Sequence, residues 1–143
     1  MICVDTNILI YAHRAGTDEH PAAQAVIERA AASRRGWGIS LPSIGEFWAQ
    51  VTHPRFPGGP STVAEAAGFL DGLLGAGQAR VFTPGPDFPE RLIDAVRELE
   101  IRGPRVFDVQ IGLMARAAGA TQLWTHDASF VPVAGLRIAD PLA

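Results

Sequence analysis

Four carboxylates stand where one secondary-structure element should give way to the next. Asp5 ends the apolar run Ile2-Cys3-Val4, Glu46 and Asp108 fall in what read as first turns of helices, and Asp127 follows the run 122–125. Each has a structural reading of its own. Asp5 can cap the helix after it, Ser43-Ile-Gly-Glu46 is a literal S-x-x-E capping box, Asp108 can complement a helix dipole, and Asp127 can start an Asx turn into Ala128-Ser129. Gathered in one cleft, four like charges would raise each other's pKa and resist ionisation unless a divalent cation neutralised them. A donor set of carboxylate oxygens, with no Cys/His cluster at zinc spacing, suits Mg²⁺ or Mn²⁺. Two such ions roughly 4 Å apart can activate a water and stabilise the leaving oxygen in phosphodiester hydrolysis, a reaction that needs no protein nucleophile.

An alternation of short apolar runs and helical stretches must position these acids. Residues 2–4, 39–41, 80–83, 122–125 and 136–139 read as strands; residues 5–13, 21–32, 42–52, 62–74, 88–99 and 107–118 read as helices. Such alternation implies crossover connections and a parallel sheet with helices on both faces. Strand ends and the starts of the following helices then share one edge, where ligands bind. The four acids would converge there. Thr6 and Asn7 follow Asp5 directly and Thr125 ends the fourth strand, so their short side chains can hydrogen-bond the carboxylates from behind. The same residues also read as ordinary helix-start and strand-edge polarity.

The segment 53–61 (HPRFPGGPS) and the turn 102–105 (RGPR) read either as mobile substrate-facing loops or as surface connections. Arg14, Arg55, Arg102 and Arg105 fall in such loops or at helix ends, where they can meet RNA phosphate or serve as solvated surface charge. None of His13, His20, His53 and His126 has a carboxylate or Ser partner at a diagnostic spacing, and His126 should point away from its neighbour Asp127. Trp37 and Trp124 read as core, whereas Phe47, Trp48 and Phe56 read as core or as the lining of a partner groove.

All twelve basic residues are Arg, and there is no lysine. That excludes Schiff-base chemistry, the P-loop clamp and phosphoacceptor sites that pair an ammonium with an Asp. At 143 residues and 48% hydrophobic, the chain fits one domain spanning 1–143, which should bury roughly 70% of its unfolded surface. Cys3, the one cysteine, reads as a small buried hydrophobe in a reducing compartment. With no signal-like start and no apolar run near roughly 18 residues, the expectation is a soluble cytoplasmic protein with no membrane partner. A net charge of -3 ordinarily argues against nucleic acid, but without the four acids the 15 become 11 against 12 arginines. Arginine forks suit phosphate.

The opening Val4-Asp5-Thr6-Asn7-Ile8-Leu9-Ile10-Tyr11-Ala12, then Ser43-Ile-Gly-Glu46-Phe47, Phe107-Asp108-Val109-Gln110-Ile111 and Thr125-His126-Asp127-Ala-Ser-Phe130 form an ordered set. The set resembles the motifs of PIN-domain ribonucleases, in particular the VapC-type toxins of bacterial toxin-antitoxin pairs, along the whole chain. Thr52-His53-Pro54-Arg55 also resembles a stretch seen in a subset of these toxins. The resemblance implies a PIN-like three-layer α/β sandwich with parallel strand order 3-2-1-4-5, and a Mg²⁺-dependent (or Mn²⁺-dependent) endoribonuclease. Asp5, Glu46, Asp108 and Asp127 would be its metal-binding and catalytic acids. It further implies a homodimer, a heterotetramer or larger assembly with a VapB-type antitoxin, and a tail of that antitoxin placing a basic side chain among the acids. Position 107 departs from the pattern: Phe stands where many relatives carry a polar residue before the third acid.

Two other readings compete. The acid pocket could serve a binding module that captures a basic antitoxin tail, with nuclease activity weak or lost. A phosphatase or phosphoreceiver would also place an Asp after the first strand. It would want a lysine and, for the phosphatase, an acid where Asn7 stands.

Overall fold

The run Ile2–Val4 forms strand β1, enclosed on both faces as a central parallel strand must be. In the computed structural model, which describes residues 1–143, β1 lies between β2 (Trp37–Ser40) and β4 (Gln122–Trp124). Beyond them lie β3 (Arg80–Phe82) and β5 (Arg137–Ala139). The order is β3-β2-β1-β4-β5 and every pairing is parallel, as the resemblance implied.

Six helices make the connections: α1 (Thr6–His13), α2 (His20–Ala31), α3 (Leu41–Val51), α4 (Val63–Leu74), α5 (Phe88–Glu98) and α6 (Val106–Ala117), the last entered through a 3-10 turn, Gly103–Arg105. Alternation along β1 separates two cores. Ile2 and Val4 join Trp37, Ile39, Ile8, Leu9, Phe47 and Val51 beneath α1 and α3. Cys3 points the other way, joining Phe82, Leu123, Phe88, Ile111 and Met114 beneath α5 and α6. Helices therefore cover both faces. Burying Phe47, which is 0% exposed, contributes roughly 1.5–3 kcal/mol.

Strand β2 starts two residues earlier than expected, because Trp37 belongs to it. Its ring is 1% exposed, and Nε1 donates to Gly77 O at 2.8 Å. Gly38 is needed for the packing of β3 on β2: a Cβ there would lie 2.5 Å from Arg80 O and 2.7 Å from the Phe82 ring. The strand ends at Ser40, not Leu41, and this moves the start of α3. Ser40 is the N-cap, its Oγ accepting from Ser43 N at 3.3 Å. The S-x-x-E capping box read at Ser43 is therefore absent, and Glu46 sits in the second turn, not the first. A capping box does form at Thr62 and Glu65, opening α4.

Trp124 is only half-buried, its Nε1 donating to Gln122 Oε1 at 3.2 Å while Arg29 lies over the ring. The segment 53–61 is tied to α1: His13 Nε2 meets Ser61 Oγ at 2.8 Å, and Arg14 lies 4.1 Å over the Phe56 ring and reaches Gly59 O. No helix is long and apolar enough to cross a membrane.

Candidate active site

The register Val4↔Trp124 aligns the carboxyl ends of β1 and β4, so Asp5 and Thr125 emerge side by side. Asp5 is 7% exposed and is the N-cap of α1, with Oδ1 accepting from Thr6 N at 2.8 Å. Its Oδ2 accepts from Thr125 Oγ1 at 2.7 Å and from Asn7 Nδ2 at 3.3 Å. The Thr125 hydroxyl in turn accepts from Asn7 Nδ2 and from Asp127 N, both at 3.1 Å, so it is fully used. Asn7 Oδ1 accepts from His126 N at 3.1 Å. Capping and orientation are thus one network, in which the amide of Asn7 and the hydroxyl of Thr125 hold the carboxylate. Thr6 takes part only through its main chain. Its hydroxyl is buried without a partner, contrary to the side-chain hydrogen bond expected of it.

Asp108 is the third residue of α6, as expected for a first-turn acid, and its Oδ2 accepts from Val131 N at 3.2 Å. Asp127 forms the Asx turn, Oδ1 accepting from Ser129 N at 2.8 Å. Arg105 joins the two acids: Nη1 donates to Asp108 Oδ2 at 3.0 Å and to Asp127 Oδ2 at 2.8 Å. Glu46 reaches the same region from α3, sharing a cleft of about 770 Å³ with Arg105, Phe107 and Asp108.

Charge is unevenly balanced in this group. Burial pushes the Asp5 carboxyl up; the hydrogen bonds from Thr125 and Thr6 pull it down, while Asp108 and Asp127 raise it again, with a net rise. Glu46 is raised by burial, then by Asp5 and Asp108. Asp127 is lowered by the Arg105 hydrogen bond and then by the Ser129 amide. The positive charge of Arg105 serves one side of the cluster, and the deficit falls at Asp5 and Glu46.

No three His, Cys, Asp or Glu side chains are grouped tightly enough, as they stand, to hold a metal ion. The donor set nevertheless fits one in chemistry. Four hard oxygen ligands with raised carboxyls at Asp5 and Glu46 would be relieved by a divalent cation, and Arg105 already supplies cationic charge where Asp108 and Asp127 meet.

Of the other arginines read as phosphate contacts, Arg14 packs on Phe56 beside Asn7 in a second cleft of about 360 Å³, which shares Gln50 with the first. Arg55 and Arg102 are exposed and lie outside the cluster. His126 turns away as expected, its Nδ1 2.9 Å from Asp140 Oδ2. Sequence reasoning missed Arg105 as a partner of the acids, although its spacing of three from Asp108 at a helix start was a usable signal. The His126–Asp140 and His13–Ser61 pairs left no local signal.

The PIN domain family model matches residues 2–136. VapC ribonuclease Mb2897 of Mycobacterium bovis is 30% identical over 142 residues, covering 99% of this chain and 96% of that protein. Among solved structures, Mycobacterium tuberculosis VapC20, a sarcin-ricin loop cleaving toxin, superposes with a TM-score of 0.69 at 21% identity, covering 91% of this chain and 92% of that one. VapBC2 from Rickettsia felis, solved bound to a DNA fragment from its promoter, gives 0.66 at 20% identity, covering 98% of each. With the sheet order and all four motifs in place, the chain belongs to the PIN-domain family, in its VapC ribonuclease group.

Proposed function

We propose that this protein is a Mg²⁺-dependent (or Mn²⁺-dependent) endoribonuclease and the toxin of a VapBC-type pair, acting in the cytoplasm as a homodimer with residues 1–143 forming one PIN domain. The observation that carries the proposal is the gathering of Asp5, Glu46, Asp108 and Asp127 at one sheet edge, with too little positive charge beside Asp5 and Glu46. Asp5, Asp108 and Asp127 would hold the metal directly or through water. The chemistry supplied there by bound metal is activation of a water for attack on phosphorus and charge stabilisation of the departing 3′ oxygen.

The chain's own groups do the rest. Thr125 and Asn7 fix the Asp5 carboxylate so that its oxygens need not be ordered during the reaction. Glu46, with its carboxyl raised, ligates or orients the attacking water and is suited to accept its proton. Arg105, drawn off the acids, is placed to contact phosphate, with Arg14 further along the groove and Arg55 and Arg102 on the outer surface. In-line attack leaves a 5′-phosphate and a 3′-hydroxyl. Mapping the ends of RNA cleaved by the purified protein in Mg²⁺ tests this: 2′,3′-cyclic phosphate ends would contradict it.

The reading as a binding module has one observation in its favour. Arg105 shows that a guanidinium fits between Asp108 and Asp127, so a basic side chain from a VapB-type antitoxin could take the same place. The two readings combine in a toxin silenced by its antitoxin within a heterotetramer or larger assembly. Calorimetric titration with Mg²⁺ separates them, because a module that only captures a basic tail has no requirement for the metal.

A further inference from the structure

Phe107 is the one aromatic among the exposed large hydrophobic side chains, at 53% exposure. Its position cannot be relieved by turning α6. Asp108 beside it is fixed by Val131 N and Arg105, and Val109 and Ile111 are 0% and 2% exposed in the cores. The ring therefore stands out of the fold immediately next to an acid of the site. It lines the cleft of about 770 Å³ with Leu41, itself 47% exposed, and with Glu46, Arg105 and Asp108. Gln110 also lines that cleft. The volume falls in the range of about 300–1,000 Å³ that encloses a small ligand.

An apolar wall beside carboxylates and a guanidinium is a poor match for a lipid or an apolar protein surface, either of which would bury those charges unpaired. It matches a nucleotide. The base is the neutral, flat part of RNA, and its faces stack on an aromatic ring whatever its identity. Its edge can be met by the Gln110 amide and its phosphate by Arg105.

We propose that Phe107 and Leu41 form the stacking surface for the nucleobase next to the scissile phosphate, with Arg105 on the phosphate of that nucleotide. The subsite rests on the ribonuclease reading, since it takes the position of the scissile phosphate from the acids. It gives Phe107 a part in positioning substrate and in choosing the cleavage context.

The test uses Asp5→Asn protein, which should bind without cutting, and single-stranded oligoribonucleotides carrying one 2-aminopurine, or one abasic site, at successive positions. One position should show strong quenching, and loss of the base there should weaken binding by roughly tenfold. Adding Phe107→Ala should remove both the quenching and the tenfold difference, while Phe107→Trp should keep them. Matching circular dichroism melts would show that the variants are folded. Equal quenching and affinity with and without the ring would overturn the subsite. So would a Phe107→Ala protein that sediments as a smaller species with base dependence unchanged, which would assign the ring to a contact between copies. Wild-type protein is assayed for RNA cleavage in Mg²⁺ in parallel. Cleavage without base dependence defeats the subsite alone, whereas no cleavage defeats the ribonuclease reading and the subsite with it.

Discussion

Arg105 Nη1 lies 2.8 Å from Asp127 Oδ2, joining a 3-10 turn to a loop 22 residues further along the chain. Since the same nitrogen also reaches Asp108, one guanidinium already neutralises both of these acids, which the proposed metal would also draw on. Metal and Arg105 should therefore compete. Arg105→Gln should bind Mn²⁺ a few-fold more tightly in calorimetry at low salt, and the carboxyl of Asp127 should rise toward its ordinary value. Weaker Mn²⁺ binding by the variant would mean that Arg105 instead holds the acids ready for the ion.

The Thr125 hydroxyl is 1% exposed in its residue and serves three partners: Asp5, Asn7 and the main chain of Asp127. Thr125→Val keeps the shape but takes one hydrogen bond from each: Asp5 keeps Thr6 N and Asn7, Asn7 keeps Asp5 and His126 N, and the Asp127 N–H is left without a partner. The expected cost is about 1–3 kcal/mol of stability from unpaired buried groups. Ribonuclease activity should fall roughly 10–100-fold as Asp5 loses its orientation. Thr125→Ser should recover most of both. A valine variant that melts and cleaves like the parent would contradict the network.

His13 sets a pH dependence away from the acids. Burial holds its imidazole below the ordinary value, with Arg14 and His20 adding to the effect and Glu65 opposing it. The folded protein thus binds this proton less readily than the unfolded chain. Its stabilising contribution is complete above the unfolded value of about 6.5 and is lost as pH falls through the lowered folded value. Asp5 and Glu46, with raised carboxyls, act in the opposite sense and gain stability on acidification. Thermal melts of the metal-free protein between roughly pH 7 and 5 should therefore drop less steeply for His13→Gln than for the parent. Identical slopes would show that the buried His13 imidazole does not carry this linkage.

Much of the fold was legible because its signals are local. Short apolar runs of three or four residues punctuated by Gly, Pro or charge gave all five strands to within two residues, and the parallel arrangement followed from their alternation with helices. Strand order came from the family resemblance, since nothing in a three-residue strand says which neighbour it pairs with. Where the reading slipped, two local signals competed. Ser40 and Ser43 both suit an N-cap; β2 runs only to Ser40, whose hydroxyl accepts from Ser43 N and caps α3, which carries Glu46 into the second turn. The acids could be picked out because each marks the end of an element. What joins them could not, because the Thr125–Asp5 bond spans 120 residues and depends on β1 and β4 being neighbours. The exposure of Phe107 has the same origin: the sequence places it beside Asp108, but only the packing of α6 decides that its ring faces the cleft.

The most direct measurement is cleavage of RNA by the purified wild-type protein in Mg²⁺, beside the same protein in EDTA and beside Asp5→Asn. Asparagine still caps α1, so the variant should fold and melt close to the parent while losing a carboxylate held by Thr125, Asn7 and Thr6. The site described here predicts cleavage by wild-type protein with Mg²⁺ only, and a loss of at least about 100-fold both in EDTA and in Asp5→Asn. Equal cleavage by the two proteins, or cleavage undiminished in EDTA, would contradict it.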